Sequence, residues 1–242
     1  MIEILLFAVI GLCVGSFLNV VIIRVPKGES IAFPSSHCLS CNTPLKWYHN
    51  IPLFSWLILQ GKCSFCGTKI SIQYPIVELT TMAIFVVAIL KSETLFGACI
   101  SATLFTMLLA LSVIDLKYKA VPDSISLPAL IVSLFMHDFL YSLNGALLLA
   151  GGFTLLRMFV SWIIKKEAMG EADIIIAAII GATLGVELGL SAIYIAALIS
   201  LPAFLIVSKK GYELPFIPFL TLGLFITWCA QTQILKILEM IL

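Results

Sequence analysis

Apolar runs of membrane-spanning length alternate with short polar connections along most of this chain. A spanning helix needs roughly 20 mainly apolar residues. Eight runs meet or approach that length, at about 2–23, 76–91, 95–114, 124–141, 143–164, 173–189, 190–208 and 216–238. The pattern predicts an all-α polytopic membrane protein with about eight transmembrane helices. One connection, Arg24 to Tyr74, is long and polar enough to form a module of its own. The chain therefore divides into a first transmembrane helix over 1–23, a loop domain over 24–75 and seven further helices over 76–242. Inside the loop, Trp47–Leu59 is too short to span but carries aromatics suited to headgroups, so it is predicted to lie against the membrane face.

Composition agrees. Hydrophobic residues make up 61% of the 242 and charged residues only 11%, with a mean hydropathy of +1.14. A soluble domain carries about a quarter charged residues. The lipid bilayer is therefore an expected partner, and nucleic acid is not, since no basic stripe with interleaved aromatics occurs. The net charge of +1 says little, but its distribution says more. Of the 14 Lys and Arg residues, eleven fall in odd-numbered connections: Arg24, Lys27, Lys46, Lys62, Lys69, Lys117, Lys119, Lys165, Lys166, Lys209 and Lys210. The positive-inside rule then makes those loops cytoplasmic and both termini external. The N-terminus lacks the basic region and cleavage site of a signal peptide, so the first run is expected to remain a helix.

The loop is too small for an ordinary hydrophobic core and needs a staple. Two C-x-x-C pairs, Cys38 with Cys41 and Cys63 with Cys66, stand 21 residues apart. Four thiolates in two such pairs can hold one tetrahedral ion, as in zinc ribbons. In a reducing cytoplasm zinc is preferred to disulfides or a redox role, which are the alternatives. His37 and His49 could substitute as ligands, although four cysteines suffice. Cys13, Cys99 and Cys229 lie in apolar runs and are expected to be inert packing.

Two acids stand at the ends of apolar runs: Asp115 after Leu111–Ile114, and Asp173 before Ile174–Gly189. A charge at a membrane edge is costly and marks function by default. The topology places both on the cytoplasmic face at similar depth. A pair of carboxylates sharing a proton can activate water and protonate a carbonyl oxygen without a covalent intermediate. The plainer possibility is that each acid merely flanks its helix. Among the other polar residues, Asp123 is expected to cap the next helix. Glu78 is expected to pair with Arg24 or to snorkel, with a part in methyl transfer as the other reading. Glu171 is a loop charge or tunes Asp173, Arg157 snorkels or pairs with an acid, Asn19 bonds another helix, and His137 and Asp138 sit solvated in an outer turn. Gly11 with Gly15, and Gly181, Gly185 and Gly189, have the four-residue spacing of close helix contacts. No repeat of 20–50 residues is evident.

Several blocks together resemble the bacterial type IV prepilin peptidases, a family of membrane aspartic proteases that are also N-methyltransferases. Gly15-Ser16-Phe17-Leu18-Asn19 through Arg24-Val25-Pro26 is similar to the family's N-terminal signature. The cysteine pairs with Trp47-Tyr48-His49-Asn50-Ile51-Pro52 resemble its cytoplasmic domain, and Tyr74-Pro75-Ile76-Val77-Glu78-Leu79 the start of its second helix. Asp115 through Val121-Pro122-Asp123 matches its first aspartate motif, and Leu214-Pro215-Phe216-Ile217-Pro218 its C-terminal block. The second motif, Gly-x-Gly-Asp, reads Gly170-Glu171-Ala172-Asp173, with alanine for the second glycine and Ile175 where a lysine often stands. Alanine tolerates positive φ poorly, so a different local turn is expected there.

The resemblance implies that Asp115 and Asp173 are the catalytic pair. It implies cleavage of the short basic leader of type IV prepilins or pseudopilins, after a glycine, at the cytoplasmic face of the bacterial inner membrane. It implies N-methylation of the new terminus from S-adenosylmethionine, and makes 76–242 an aspartic protease domain. The competing functions are a transporter using the two aspartates for protons or cations, and a non-catalytic zinc-ribbon scaffold of a secretion machine. A transporter would bury its acids near the midplane between repeated halves.

Overall fold

A computed structural model describes residues 2–165, 170–207 and 214–241. Ala168 and Met169, which precede the second aspartate motif, and Lys166, Lys209 and Lys210 of the charge argument lie outside the described residues. The chain forms two compact units, residues 1–102 and 103–242.

The first unit is a helix pair with a stapled loop. Helix α1 (Ile2–Arg24) and helix α3 (Gln73–Lys91) pack along the stripe of small residues read in the sequence. A Cβ at Gly11 would stand 2.8 Å from the Met82 Cα, and one at Gly15 2.7 Å from the Glu78 Cα, so only glycine allows this approach. Asn19, fully buried, ties the pair together: its Nδ2 donates to the carbonyls of Gly15 and Tyr74, and its Oδ1 accepts from Gln73 Nε2. Between the two helices lies a 3-10 turn at Trp47–Asn50 and a short helix α2 (Phe54–Ile58). Trp47, Phe54, Leu57 and Ile58 are exposed, as expected of a segment resting on a membrane face.

Helix α4 (Leu95–Tyr118) leads into the second unit, followed by α5 (Asp123–Ser133), α6 (Phe139–Ile164), α7 (Glu171–Val207), α8 (Ile217–Cys229) and α9 (Gln231–Ile241). Leu104, Leu108, Leu111 and Ile114 of α4, Ile176, Ile179 and Ile180 of α7, and Leu220 and Leu224 of α8 are fully buried and form its core. Helix α6 presents Leu147, Leu155, Phe159 and Trp162 outward, the surface a bilayer would cover. Helices α6 and α7 meet backbone to backbone at Gly145 and Gly181, where a Cβ on either would run into the other's carbonyl.

Helix α7 is continuous only by hydrogen-bond pattern. Gly185, with φ 74° and ψ −173°, breaks it. A Cβ at Gly189 would lie 3.5 Å from the Ile180 side chain, nine residues earlier, whereas an unbroken helix separates such residues by about 13 Å. The chain doubles back at Gly185. Two residues before the break, the Thr183 carbonyl accepts a hydrogen bond from His137 Nε2 at 2.9 Å. Tyr141 packs edge-on against His137 and closes over Gly185. His137 is exposed in the turn before α6, as expected, and additionally ties that turn to α7. The Gly185 dihedrals belong almost only to glycine, and a side chain there meets Tyr141 as well. Gly185→Ala is expected to lower stability by more than the dihedral strain of about 1–3 kcal/mol, read as loss of folded protein on a thermal ramp in detergent.

Among the described residues, five helices are long and apolar enough to cross a membrane, or six if α8 and α9, bent by 85°, count as one span. The eight predicted runs map onto apolar helical segments with three corrections. The run 124–141 contains only the 11-residue α5 and the start of α6. The division of 173–208 falls at Gly185 rather than after Gly189. The last run is the bent pair. Cys13 and Cys99 are exposed and Cys229 half-buried, so these three do not fill the packed interior.

Candidate active site and metal centre

Both aspartates belong to the second unit. Asp115 lies one turn before the end of α4 and is buried at 7% exposure. Its Oδ2 accepts a hydrogen bond at 3.3 Å from the backbone N–H of Ile217, the first residue of α8. First-turn amides have no partner inside their own helix, so they are available to a carboxylate. Pro218 follows at the start of α8, and the Ser112 hydroxyl donates to Thr221 at 3.1 Å, fixing α4 against α8 one turn from Asp115. Lys119, at φ 51°, ends α4 by donating its N–H to the Asp115 carbonyl. Its ammonium is also within electrostatic reach of the Asp115 carboxylate.

Asp173 is the third residue of α7 and is half-buried. Its Oδ2 accepts from the N–H of Gly170 at 3.2 Å, the back-reaching bond of a capping box. One carboxylate oxygen is therefore pinned by its own helix start. The Asp115 and Asp173 carboxylates are close enough for their charges to interact.

Ala172 is the second residue of α7, and its φ is not among the positive values in the chain. The different turn expected at this position is not needed, because helical backbone takes alanine at least as well as glycine. Ala172→Gly is therefore expected to leave the cleavage rate within roughly twofold, since it alters only helix propensity. A peptide-cleavage time course checks this.

Three other residues differ from or refine their expectations. Asp123 is the first helical residue of α5, Pro122 holds the cap position, and no side-chain cap bond forms, so Asp123 is not the cap. Arg157 pairs with Glu171 at 3.6 Å, and Glu171 is 86% exposed; such an exposed pair contributes little to stability. Glu78, in the first unit, does not pair with Arg24. Its Oε2 accepts from the Leu53 N–H at 2.8 Å, while Arg24 donates to the carbonyls of Ser30 and Ser35.

The four loop cysteines converge. Their sulfurs all lie within 4.8 Å of one another, with Cys38 and Cys66 3.8 Å apart. Metal–sulfur bonds of about 2.3 Å set the sulfurs of a tetrahedral site about 3.8 Å apart. A disulfide needs about 2.05 Å, and all four cysteines are free of one. The donor set fits a tetrahedral ion. Each pair sits on the same knuckle, at an offset of 25 residues, a short repeat where none was expected. Cys38 N–H donates to Thr43 and Cys63 N–H to Thr68; Asn42 N–H returns to Cys38 and Gly67 N–H to Cys63. Asn42 and Gly67 both take positive φ, at 53° and 70°. The Thr43 and Thr68 hydroxyls lie 3.2 and 3.3 Å from the sulfurs of Cys41 and Cys66. The hydroxyl of Thr68 foremost, then its backbone, holds the Cys66 thiol down to about 6, and Thr43 lowers Cys41 in the same way. Both are pushed toward the thiolate that a metal binds. His37 and His49 are not part of the cluster.

Comparison with known proteins decides the family. The Bacterial Peptidase A24 N-terminal domain matches residues 9–92, and the Type IV leader peptidase family matches residues 102–205. A type 4 prepilin-like proteins leader peptide-processing enzyme of Escherichia coli O78:H11 is 35% identical over 239 residues, covering 88% of each chain. The chain belongs to the type IV leader peptidase family. A prepilin leader peptidase/N-methyltransferase of Neisseria gonorrhoeae is 33% identical over 264 residues, covering 95% of this chain and 91% of that protein. One of Myxococcus xanthus is 42% identical over 185 residues, where the match spans 73% of this chain and 54% of that protein. No solved structure matches the chain. Membership and the run of apolar helices make this a multi-pass inner-membrane protein.

Proposed function

We propose that this chain is the leader peptidase and N-methyltransferase of a type IV pilus or related secretion system, with Asp115 and Asp173 as its catalytic dyad. What supports the reading is that these two acids, from distant parts of the sequence, lie close enough for their charges to interact, in a member of this family. One carboxylate takes a proton from water, whose oxygen attacks the carbonyl carbon of the scissile bond. The other gives its proton to the carbonyl oxygen; as the gem-diol collapses, the first passes the proton taken from water to the leaving nitrogen, the carbon–nitrogen bond breaks, and a diol hydroxyl returns a proton to the second. The Ile217 and Gly170 amides hold one oxygen of each acid, leaving the others for water and substrate.

The substrate is a prepilin or pseudopilin whose basic leader is cut after a glycine while its apolar helix stays in the bilayer. The charge distribution supports a site facing the cytoplasm with both termini outside. Cys38, Cys41, Cys63 and Cys66 hold a structural zinc ion, which supplies the loop with a cross-link in place of a hydrophobic core. S-adenosylmethionine is the methyl donor for the freed amine. A transporter or scaffold gives no reason for two buried-edge acids to meet.

The test uses the purified protein in detergent with a leader-bearing pilin substrate and labelled S-adenosylmethionine. Mass spectrometry should show the leader lost after its glycine and the new terminus methylated. An intact substrate would overturn the peptidase reading, and a cut but unmethylated product the methylation.

A further inference from the structure

Within the second unit, α6 runs on past the dyad, where its neighbours α4, α7 and α8 end or begin. Its register against the first limb of α7 is fixed at three places: Tyr141 closes over Gly185, Gly145 meets Gly181, and Arg157 reaches Glu171. The two helices run antiparallel, so Asp173 stands level with Phe153. From there α6 continues to Ile164. Met158, Phe159, Trp162, Ile163 and Ile164 of this overhang are all exposed. One stripe is polar: Arg157, Ser161 and Lys165, four residues apart, run up a single face that begins at Glu171. A helix end that is apolar on its remaining sides is stable only where lipid or protein covers it.

Lipid fits the length of α6. Exposed aromatics mark where a spanning helix meets the two membrane surfaces. Tyr141 and Trp162, both exposed, lie about 31 Å apart along the helix, and a hydrocarbon core is about 30 Å thick. Asp138 stands just outside the first and Lys165 just outside the second. Between these limits Asp173, level with Phe153, lies about 13 Å short of the Trp162 boundary, which leaves about 18 Å to the other. The neighbouring helices have that shorter length. Helix α5 has 11 residues, the limb Glu171–Leu184 has 14 and α8 has 13, or about 16, 21 and 20 Å. None crosses a full core alone, so the second unit has a step in it, with the two acids on the floor. Lys117 and Lys119 end α4 and Asp123 starts α5 near that floor, and charges at such depth require water.

We propose that the space between the α6 overhang and the start of α7 is a water-filled recess in the cytoplasmic leaflet that takes the substrate's basic leader, with Glu171 at its floor binding a leader cation. The inference rests on the peptidase reading above. An extended chain covers about 3.3 Å per residue, so about four leader residues occupy the recess when the scissile bond lies at the dyad. A lysine or arginine among them is costly at that depth unless a carboxylate meets it. Glu171 supplies one. Its side chain is 86% exposed, it stands two residues ahead of Asp173, and it already holds a guanidinium, that of Arg157, at 3.6 Å. Arg157 occupies the place that a leader cation takes. Exchange of one cation for the other leaves the charge at the floor unchanged, so binding does not disturb the field at the dyad.

Depth is measured apart from activity. Hydroxyl-radical footprinting of the full chain in lipid nanodiscs should leave Met158 and Phe159 of the overhang unmodified and should modify Tyr118 at the recess floor. Modified Met158 and Phe159 would put the overhang in water and the dyad at the membrane edge, and an unmodified Tyr118 would mean a dry floor; either overturns the recess. Cleavage kinetics test Glu171. Glu171→Gln should raise KM for a basic-leader substrate by roughly five- to tenfold while kcat stays within about twofold. On a substrate whose leader has glutamine in place of its basic residues, the variant should match wild type. Arg157→Gln separates a leader contact from a merely structural pair. It removes a competitor, so KM should hold or fall, whereas a structural pair would make it behave like Glu171→Gln. If the wild type leaves both substrates intact, the peptidase reading fails and the leader site with it. If the wild type cleaves and Glu171→Gln shows the same KM on the basic leader, the peptidase reading stands and the assignment of Glu171 is wrong.

Discussion

With the proposed dyad, Asp115→Asn and Asp173→Asn are each expected to lower the cleavage rate by roughly 10²- to 10⁴-fold, and the double variant to fall little further. The size follows from what asparagine removes. It keeps the shape and the hydrogen bonds accepted from Ile217 and Gly170, since its amide oxygen can stand where Oδ2 does. It cannot take a proton from water or give one to a departing nitrogen. Loss of either acid stops the same proton relay, so the two losses do not add. Asp123→Asn is the control, since Asp123 makes no side-chain cap bond and its loss costs nothing the relay uses. Single-turnover cleavage of a pilin substrate at matched pH measures all four proteins. Full activity in both single variants would falsify the dyad; activity lost in one alone would leave a single catalytic acid.

Stripping the proposed zinc ion is expected to have the other large effect. Structural zinc sites bind with about 10–16 kcal/mol of apparent free energy, comparable to the whole stability of a domain. The loop 25–72 has no core to fall back on: of its large hydrophobic side chains, Phe33, Leu39, Trp47, Phe54 and Phe65 are exposed. A strong chelator is therefore expected to unfold the loop while the glycine-packed helices α1 and α3 remain. Limited proteolysis should show cuts confined to the loop, and elemental analysis should show zinc lost in step. Cys63→Ser should reproduce the effect, Cys63 being the most buried of the four. Unchanged protease resistance in metal-free protein would mean that hydrogen bonds of the two knuckles suffice.

The membrane architecture was legible because burial in lipid imposes one rule, apolar length, that hydropathy reads directly. Cys38, Cys41, Cys63 and Cys66 were legible for a similar reason: four soft ligands in two pairs have few other uses. What hydropathy cannot read is a dihedral angle. The apolar run is unbroken across Gly185, so hydropathy puts the division after Gly189, and the bond from the exposed His137 to the Thr183 carbonyl has no sequence signal. Asp123 was misplaced by a single residue, because Pro122 reaches the cap position first. Ala172 looked like a departure only while its backbone was unknown. The knuckle repeat was hidden because the two copies share little beyond two cysteines and a threonine. Glu78 was paired with the wrong residue since the Leu53 amide reaches it through a loop conformation that no sequence pattern encodes. The partners of the two aspartates were half legible: Pro215 and Pro218 bracket a helix start, but nothing in the chain says that its first amide meets Asp115.

The glycine contacts of the first unit bear on how the protein is made. Gly11 and Gly15 join α1 to α3, and the metal cluster closes the loop that runs between them, all within residues 1–102. A ribosome completes this hairpin before it has begun the helices that carry Asp115 and Asp173. The early segment holds its own helix contacts and, with the zinc proposed above, its own cross-link, so it can settle in the membrane as soon as metal reaches it. Metal supply then acts during biosynthesis, at insertion of the first two helices, and a metal-starved cell would be expected to lose newly made enzyme before it loses the existing stock.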